Sequence, residues 1–552
     1  MWDFAYTSAS RNLFKEQQMD YKHFGVMLDC SRNAVPKVSA LKKFMDALQK
    51  MGYNTLELYA EDTYEVEGEP YLGYMRGRYS ASEIKELDAY AQSLGIELIP
   101  CIQTLAHFTN PVKLARFCEI TDCNDILLAD DDETYAFLDR IFASVASNFT
   151  SRNVHIGMDE AHMVGLGKYL DLHGACDRFE ILSRHLARVA SIAAKYGFTA
   201  HMWSDMFFRL AANGEYYAPD VALPESIFAH QPDGVEQVYW DYYHEDRSMY
   251  DAMFAKHKQF KGEVWFAGGA WTWLGFAPTQ RKTFATMLPA MQSVRQNGVR
   301  NVLITIWGDN GGECTPFAAL YMLYSVRRFA DGQFDRERIA LGFEELFSVS
   351  AQDFSLLALP DTVPDITDES VLANPSKSLL YADPFLGILD AEINAHTPIP
   401  YAEYAKKLRA AKTRAGEYAY LFDTASKLCL LMEYKAYLGV RTRKAYDAKD
   451  KQAISTVADM YAKTEKRLDK FFQSFSSQWN KVNKPFGFEV QCARLGGVKQ
   501  RLHYCRARLQ DYAQGRIACI EELEEKVLPL DPDHPDNLLI NNYRRLVSPC
   551  EI

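Results

Sequence analysis

Between Lys22 and about Asn310 the sequence alternates eight times between two textures, and that rhythm restricts the fold more than any other feature. Short apolar or β-branched runs are separated by longer segments of helical periodicity. The runs are HFGVMLDC (23–30), TLELYAED (55–62), ELIPCIQT (97–104), NVHIGMDE (153–160), FTAHMWSD (198–205), EQVYWDYY (236–243), EVWFAGGA (263–270) and NVLITIWGD (301–309). Each is apolar enough to be a strand covered on both faces. Between them, Leu41, Phe44, Leu48 and Met51 share one helical face that Gly52 stops. Residues 82–94 stop at Gly95, and residues 178–196 at Gly197, in the same manner. Eight strand–helix units predict an α/β fold, a (β/α)8 TIM barrel spanning 21–330. A doubly wound open sheet is the other architecture, but no Gly-rich nucleotide fingerprint follows the first run.

Past the barrel the texture changes. A proline-bearing stretch, 331–400, reads as an irregular linker, and 401–552 as a mostly α-helical C-terminal domain. There Leu495, Val498, Leu502, Cys505, Leu509 and Tyr512 repeat at steps of three and four, as do Val457, Tyr461, Thr464, Leu468 and Phe471. Such stripes form a domain core, or a dimer seam, so a homodimer is kept as a possible partner. The first 20 residues form an N-terminal segment with neither a basic start nor an apolar run. It does not read as a signal peptide, no stretch is long enough to span a bilayer, and the cytoplasm is the expected compartment. Asn148-Phe149-Thr150 fits a glycosylation acceptor, but is read as coincidence in that setting. A net charge of −12 disfavours a nucleic-acid partner. The eleven cysteines have no Cys-x-x-Cys spacing, so neither a zinc site nor a disulfide framework is expected. No cofactor and no metal are expected.

The predicted strands end in acids and aromatics: Asp29, Glu61-Asp62, Gln103, Asp159-Glu160, Ser204-Asp205, Asp241 and Trp307 to Asp309. In a barrel these ends converge on the face where active sites sit. Any one acid could merely cap the following helix. Six of the eight tryptophans fall between 203 and 307, with Trp203, Trp240 and Trp307 at or near strand ends. Indoles mixed with carboxylates suit a pocket that stacks sugar faces and binds hydroxyls, so a small glycan is the expected substrate. No phosphate-cradling loop, His-x-x-x-His pair or nucleophile elbow favours another chemistry. Glycoside hydrolysis ordinarily uses two carboxylates across the scissile bond. Asp159 and Glu160 do not fit that scheme easily, because successive strand side chains point to opposite sides. They more plausibly divide the labour between the leaving-group oxygen and another part of the sugar.

His155-Ile156-Gly157-Met158-Asp159-Glu160 at the end of a fourth barrel strand resembles the His-x-Gly-x-Asp-Glu element of glycoside hydrolase family 20, the β-N-acetylhexosaminidases. GVMLDCSRN (25–33), Glu61-Asp62, QTLAHF with His107, and the later MWSD, VYWD and TIWGD match that family's order over about residues 20–315. The resemblance implies an exo-acting, retaining enzyme that removes terminal β-linked GlcNAc or GalNAc by substrate-assisted, oxazolinium catalysis. It implies Glu160 as general acid and then base, with a pKa raised by an indole-walled pocket, and Asp159 as partner of the acetamido N–H. It places His107, with Asp62 behind it, as a relay for Glu160. Trp203, Trp240 and Trp307 would box the acetamido methyl, and Asp309 would accept from the outer hydroxyls. Asp29 joins the substrate-binding set; Tyr242 or Trp271 takes the tyrosine role against the acetamido oxygen, and Trp273 is a second candidate in the loop GGAWTWLGF (268–276). The sequence departs from the family where Phe24 replaces an arginine that binds O3 and O4, so acceptance of both GlcNAc and GalNAc is expected. Leu105-Ala106 replaces Pro-Gly before the histidine, Asp309 replaces a glutamate, and the family's N-terminal α/β domain is absent. Alternatives are another acetamido-assisted hydrolase, O-GlcNAcase-like or disaccharide-releasing, and a non-catalytic sugar-binding barrel.

Overall fold

A computed structural model describes residues 19–368, 371–534 and 542–550. The N-terminal segment up to residue 18 therefore lies outside the described residues. Eight parallel strands close a barrel in the order of the chain: β1 (His23–Asp29), β2 (Thr55–Tyr59), β3 (Glu97–Cys101), β4 (Asn153–His155), β5 (Thr199–Trp203), β6 (Val235–Trp240), β7 (Trp265–Gly269) and β8 (Asn301–Ile306). The last pairs with the first, His23 opposite Asn301 through Leu28 opposite Ile306. An eight-strand TIM barrel followed by a helical C-terminal region is thus the architecture.

The helices end where their residues dictate. Helix α1 (Val38–Met51) buries Leu41, Phe44, Leu48 and Met51, and Gly52 caps it at φ +89°. Each of these side chains contributes roughly 1.5–3 kcal/mol by leaving water. Helix α2 (Ala81–Ser93) starts at a capping box in which Ser80 and Glu83 each satisfy the other's backbone N–H. Helices α3 (Asp132–Asn148), α4 (Arg178–Lys195), α5 (Asp205–Ala211), α6 (Arg247–His257), α7 (Gln280–Asn297) and α8 (Leu320–Ala330) complete the outer ring.

Inside, the barrel is filled. The His23, Trp265 and His201 rings, from β1, β7 and β5, stack at 4.7 and 4.2 Å. His201 reaches across to Glu57 of β2 at 2.7 Å. Among the described residues this packed floor fills the barrel interior beneath the C-terminal mouth.

Residues 331–400, expected to be irregular, instead carry helices, among them Arg336–Phe347 and α9 (Pro375–Tyr381). Their apolar faces pack on the barrel and on one another, which composition rich in proline had obscured. Two long helices, α10 (Lys451–Val482) and α11 (Phe488–Ala513), hold the periodic stripes. Leu468, Phe471, Leu502 and Leu509 are buried within the chain, so the stripes serve its own core and offer no seam to a second copy. The turn between α10 and α11 docks on the loop after β1. Lys37 N–H donates to the Val482 carbonyl and Lys484 N–H to that of Val35, both at 2.8 Å. No helix among the described residues is long and apolar enough to cross a membrane.

Candidate active site

All eight strands are shorter than the runs that announce them, and the polar ends of those runs, apart from Asp29 at the end of β1 and Asp205 at the start of α5, lie in the loops of the barrel mouth. The clearest case follows β4. Gly157 has φ +68°, Met158 +71° and Glu160 +52°, so the chain leaves extended geometry two residues after the strand. The expectation that Asp159 and Glu160 face opposite ways fails for this reason: strand alternation does not apply to left-handed backbone. Both carboxylates face His107, whose Nε2 lies 2.9 Å from Asp159 Oδ2 and 3.8 Å from Glu160 Oε2. Gly157 makes room here, because a Cβ would stand 1.9 Å from Gln103 Oε1 and push that amide out of place. Gln103 in turn donates through Nε2 to Asp159 Oδ1 at 3.1 Å and to the Tyr59 hydroxyl at 3.0 Å.

The charges sort themselves by these contacts. Burial works against a charged His107, but the Asp159 carboxylate outweighs it and lifts the imidazole to about 9. Burial alone would raise Asp159; the charge and hydrogen bond of His107, with the Gln103 amide, hold it at about 2. The free site therefore carries an imidazolium–carboxylate pair at neutral pH. Glu160 is tethered by its backbone, N–H to Asp205 Oδ2 at 3.1 Å, while 47% of its side chain is open to solvent. The indole walls expected around its carboxyl are thus not closed over it. Asp205 is pushed up to about 7 by burial and by the nearby Asp159 charge, and it also accepts from Arg209 Nε at 3.2 Å.

Asp62 does not stand behind His107. It pairs with Arg76 at 2.9 Å, and the carboxylate nearest His107 Nδ1 is Glu61, at 3.9 Å. Strand parity explains the exchange: Tyr59 points into the barrel, Glu61 two residues on shares its side, and the Tyr59 hydroxyl donates to Glu61 at 3.2 Å.

A pocket of about 530 Å³ is lined by Arg32, His107, Asp159, Glu160, Trp203, Trp240, Tyr242, Tyr243, Trp273, Trp307 and Asp309. That space is open to solvent on one side. Trp240 stacks on Tyr242 at 5.4 Å, and Trp203 and Trp307 lie 6.2 Å apart. Two expected binding residues sit behind the wall instead. Trp271 is buried, stacked on Trp273 at 4.2 Å, with its N–H donated to the Tyr242 carbonyl at 3.1 Å. Asp29 accepts from Gly308 N–H at 2.9 Å and from Arg32 at 3.4 Å, so it braces the wall rather than lining it.

Arg32, Tyr243 and Glu61 went unassigned on sequence alone. Arg32 reaches Glu61 at 3.4 Å and Asp309 at 4.0 Å, with its guanidinium over Tyr59 and Trp307. Its signal was an arginine three residues after a strand-end acid. Among the described residues no cluster of three or more His, Cys, Asp or Glu is arranged to hold a metal ion.

Comparison with known proteins adds two domain matches. Residues 21–223 match the catalytic domain of glycosyl hydrolase family 20, and residues 352–541 a glycoside hydrolase 20C C-terminal domain. The second begins well before residue 401, where the helical domain was expected. Hexosaminidase D of Bos taurus is 28% identical over 221 residues, 38% of this chain and 60% of that protein. Hexosaminidase D of Homo sapiens is 29% identical over 221 residues, 38% of this chain and 43% of that one. The chain thus matches less than two thirds of the length of either. A solved β-N-acetylhexosaminidase from Bacteroides fragilis is 20% identical, with a TM-score of 0.46, over 60% of this chain and 71% of the other.

Proposed function

The chain belongs to glycoside hydrolase family 20, and on that footing we propose that it is an exo-acting, retaining β-N-acetylhexosaminidase that releases terminal β-linked GlcNAc and GalNAc. The observation that carries this reading is a single histidine placed 2.9 Å from Asp159 and 3.8 Å from Glu160 in an aromatic pocket. In the family's pattern the substrate's acetamido group supplies the nucleophile, and two adjacent carboxylates on one side of the pocket are consistent with that reading.

In the first step the Glu160 carboxyl gives its proton to the glycosidic oxygen as the C1–O bond breaks. The acetamido carbonyl oxygen bonds to C1, and the positive charge of the resulting oxazolinium spreads onto its nitrogen. Asp159, held ionised by His107 and Gln103, accepts the N–H and faces that charge. In the second step the Glu160 carboxylate takes a proton from water while the water oxygen attacks C1, which restores the acetamido group and the original configuration. Glu160 is open to solvent on the side where leaving group and water must arrive.

Trp203, Trp240 and Trp307 enclose the acetamido methyl, and Tyr242 takes the acetamido oxygen, since the Trp271 N–H is already committed to a backbone carbonyl. Arg32 and Asp309 meet the outer hydroxyls, Arg32 standing in for the cation missing at Phe24. The test is a panel of aryl β-GlcNAc, β-GalNAc and β-glucoside substrates with a thiazoline mimic of the oxazolinium. Release of both acetamido sugars and tight thiazoline inhibition are expected. Equal turnover of the glucoside, or indifference to the thiazoline, would refute the mechanism.

A further inference from the structure

The turn 308–312 carries Asp309 into the pocket, and its backbone is in an improbable shape. Asn310, Gly311 and Gly312 have φ of +58°, +139° and +67° in succession. Within the turn, Gly312 N–H closes on the Gly308 carbonyl at 2.7 Å. Its outward-facing acceptors are met from outside the barrel. Lys377 of α9 donates to the Asn310 carbonyl at 3.1 Å, and Arg494 of α11 donates to the same oxygen. Gln491, also on α11, donates to the Gly311 carbonyl at 3.0 Å.

Just past the turn, Glu313 receives Lys377 at 3.0 Å and Arg494 at 3.2 Å, and the Lys377 and Glu313 side chains are each only 1% exposed. Among the described residues every donor found on the Asn310 and Gly311 carbonyls comes from these two helices. A buried ion pair is a poor source of net stability, since desolvating both charges offsets most of their attraction. Its geometric effect is sharper: it fixes where a short segment of backbone can be. From the barrel side the Asp309 carboxylate meets Arg32 at 4.0 Å, and 44% of its side chain stays open to the pocket. Asp29, which accepts from Gly308 N–H, and Arg32 hold the turn from the barrel side, and the helical domain sets its outer half and so shares in placing that carboxylate.

We propose that Lys377, Gln491 and Arg494 are positioning residues through which the helical C-terminal domain sets Asp309 and so tunes recognition of the terminal sugar's outer hydroxyls. This rests on the reading of the pocket as an N-acetylhexosamine site. The test compares the full-length chain with Gln491→Leu, Arg494→Met and Arg494→Lys on aryl β-GlcNAc and β-GalNAc glycosides. Gln491→Leu and Arg494→Met should raise KM about five- to tenfold, the effect of one misplaced hydrogen bond. They should also change the GlcNAc-to-GalNAc ratio of kcat/KM, with kcat on the activated substrate held within about twofold. Arg494→Lys keeps a cation on Glu313 and should recover most of the KM.

A merely structural role would lower melting temperature and active fraction while KM and the sugar ratio stayed put, and that result overturns the proposal. Arg494 is partly exposed, so its variants report even where Gln491→Leu fails to fold. A wild-type chain that cleaves neither glycoside refutes the reading of the pocket. An active wild type with unshifted variants refutes only the positioning role.

Discussion

Replacing His107 by glutamine removes the imidazolium bonded to Asp159 while keeping a neutral donor of similar reach, and its effect on stability should depend on pH in a defined direction. The imidazole is lifted from 6.5 to about 9 in the folded chain, which at about 1.4 kcal/mol per unit corresponds to about 3 kcal/mol. Seen from Asp159, held at about 2 against an ordinary 3.8, the same contact gives about 2 kcal/mol. Each figure is net of the burial penalty of its own group, so the attraction itself exceeds both, and about 2–3 kcal/mol is what the pair contributes to the fold. The side chains are 16% and 14% exposed, which leaves solvent little room to screen them.

A raised histidine contributes its full stabilisation below the unfolded value of 6.5 and loses it as pH climbs through 9. The lowered carboxylate contributes above 3.8 and loses its share as pH falls through 2. His107→Gln should therefore destabilise the chain by about 2–3 kcal/mol near pH 5.5 and by almost nothing of electrostatic origin near pH 10. Urea unfolding of wild type and variant at the two pH values, followed by intrinsic fluorescence, reads the difference. In the variant, burial acts on Asp159 unopposed by the imidazolium, so the acid limb of kcat/KM should move up as well. An equal loss of stability at both pH values, or a larger one at pH 10, would show that the pair is not charged and would remove the basis for an ionised Asp159.

Glu160→Gln should cut kcat on unactivated glycosides by roughly 10²–10⁴-fold, and a series of leaving groups should show the loss shrinking as the aglycone becomes more acidic. Gly157→Ala should destabilise by about 1–3 kcal/mol and disorder Gln103, because its Cβ would lie 1.9 Å from Gln103 Oε1 at φ +68°; thermal unfolding with an activity assay checks both. Asp62→Asn strips the counter-charge from Arg76; it should lower the melting temperature yet leave the KM for aryl GlcNAc within about twofold, and a pH profile altered like that of His107→Gln would return Asp62 to the relay.

The barrel was legible because its strands are buried on both faces, which writes each one as an apolar run with a polar end. What those ends do was only partly legible. The turn into left-handed backbone at Gly157, Met158 and Glu160 is marked in the sequence by one glycine alone, so the relation between the two carboxylates was misjudged. Choosing Glu61 over Asp62 needed only the parity of β2, counted from a residue known to point inward. Arg32 could not be placed that way, since it stands in a loop whose course depends on the docked turn between α10 and α11. Trp271 and Trp273 share a parity and still part company, one behind the wall and one in it, because the chain there is no longer a strand. The helices within 331–400 were hidden by prolines that, apart from Pro360 inside the short 3-10 helix Leu356–Asp361, sit at their first turns or between them, as Pro375 does at the start of α9.

Glu160 holds its carboxyl from a backbone at φ +52°, a region that glycine and asparagine enter more readily than glutamate does. On the proposed mechanism, folding and turnover therefore select for different residues at the same position. A lineage that stops using the reaction has a downhill route away from it: a single transition changes a glutamate codon to a glycine codon, and the product relieves backbone strain. The reverse change must reintroduce strain before any turnover returns. Inactive descendants of such a chain should thus be sturdier than their active ancestors at this position, and their loss of function hard to undo.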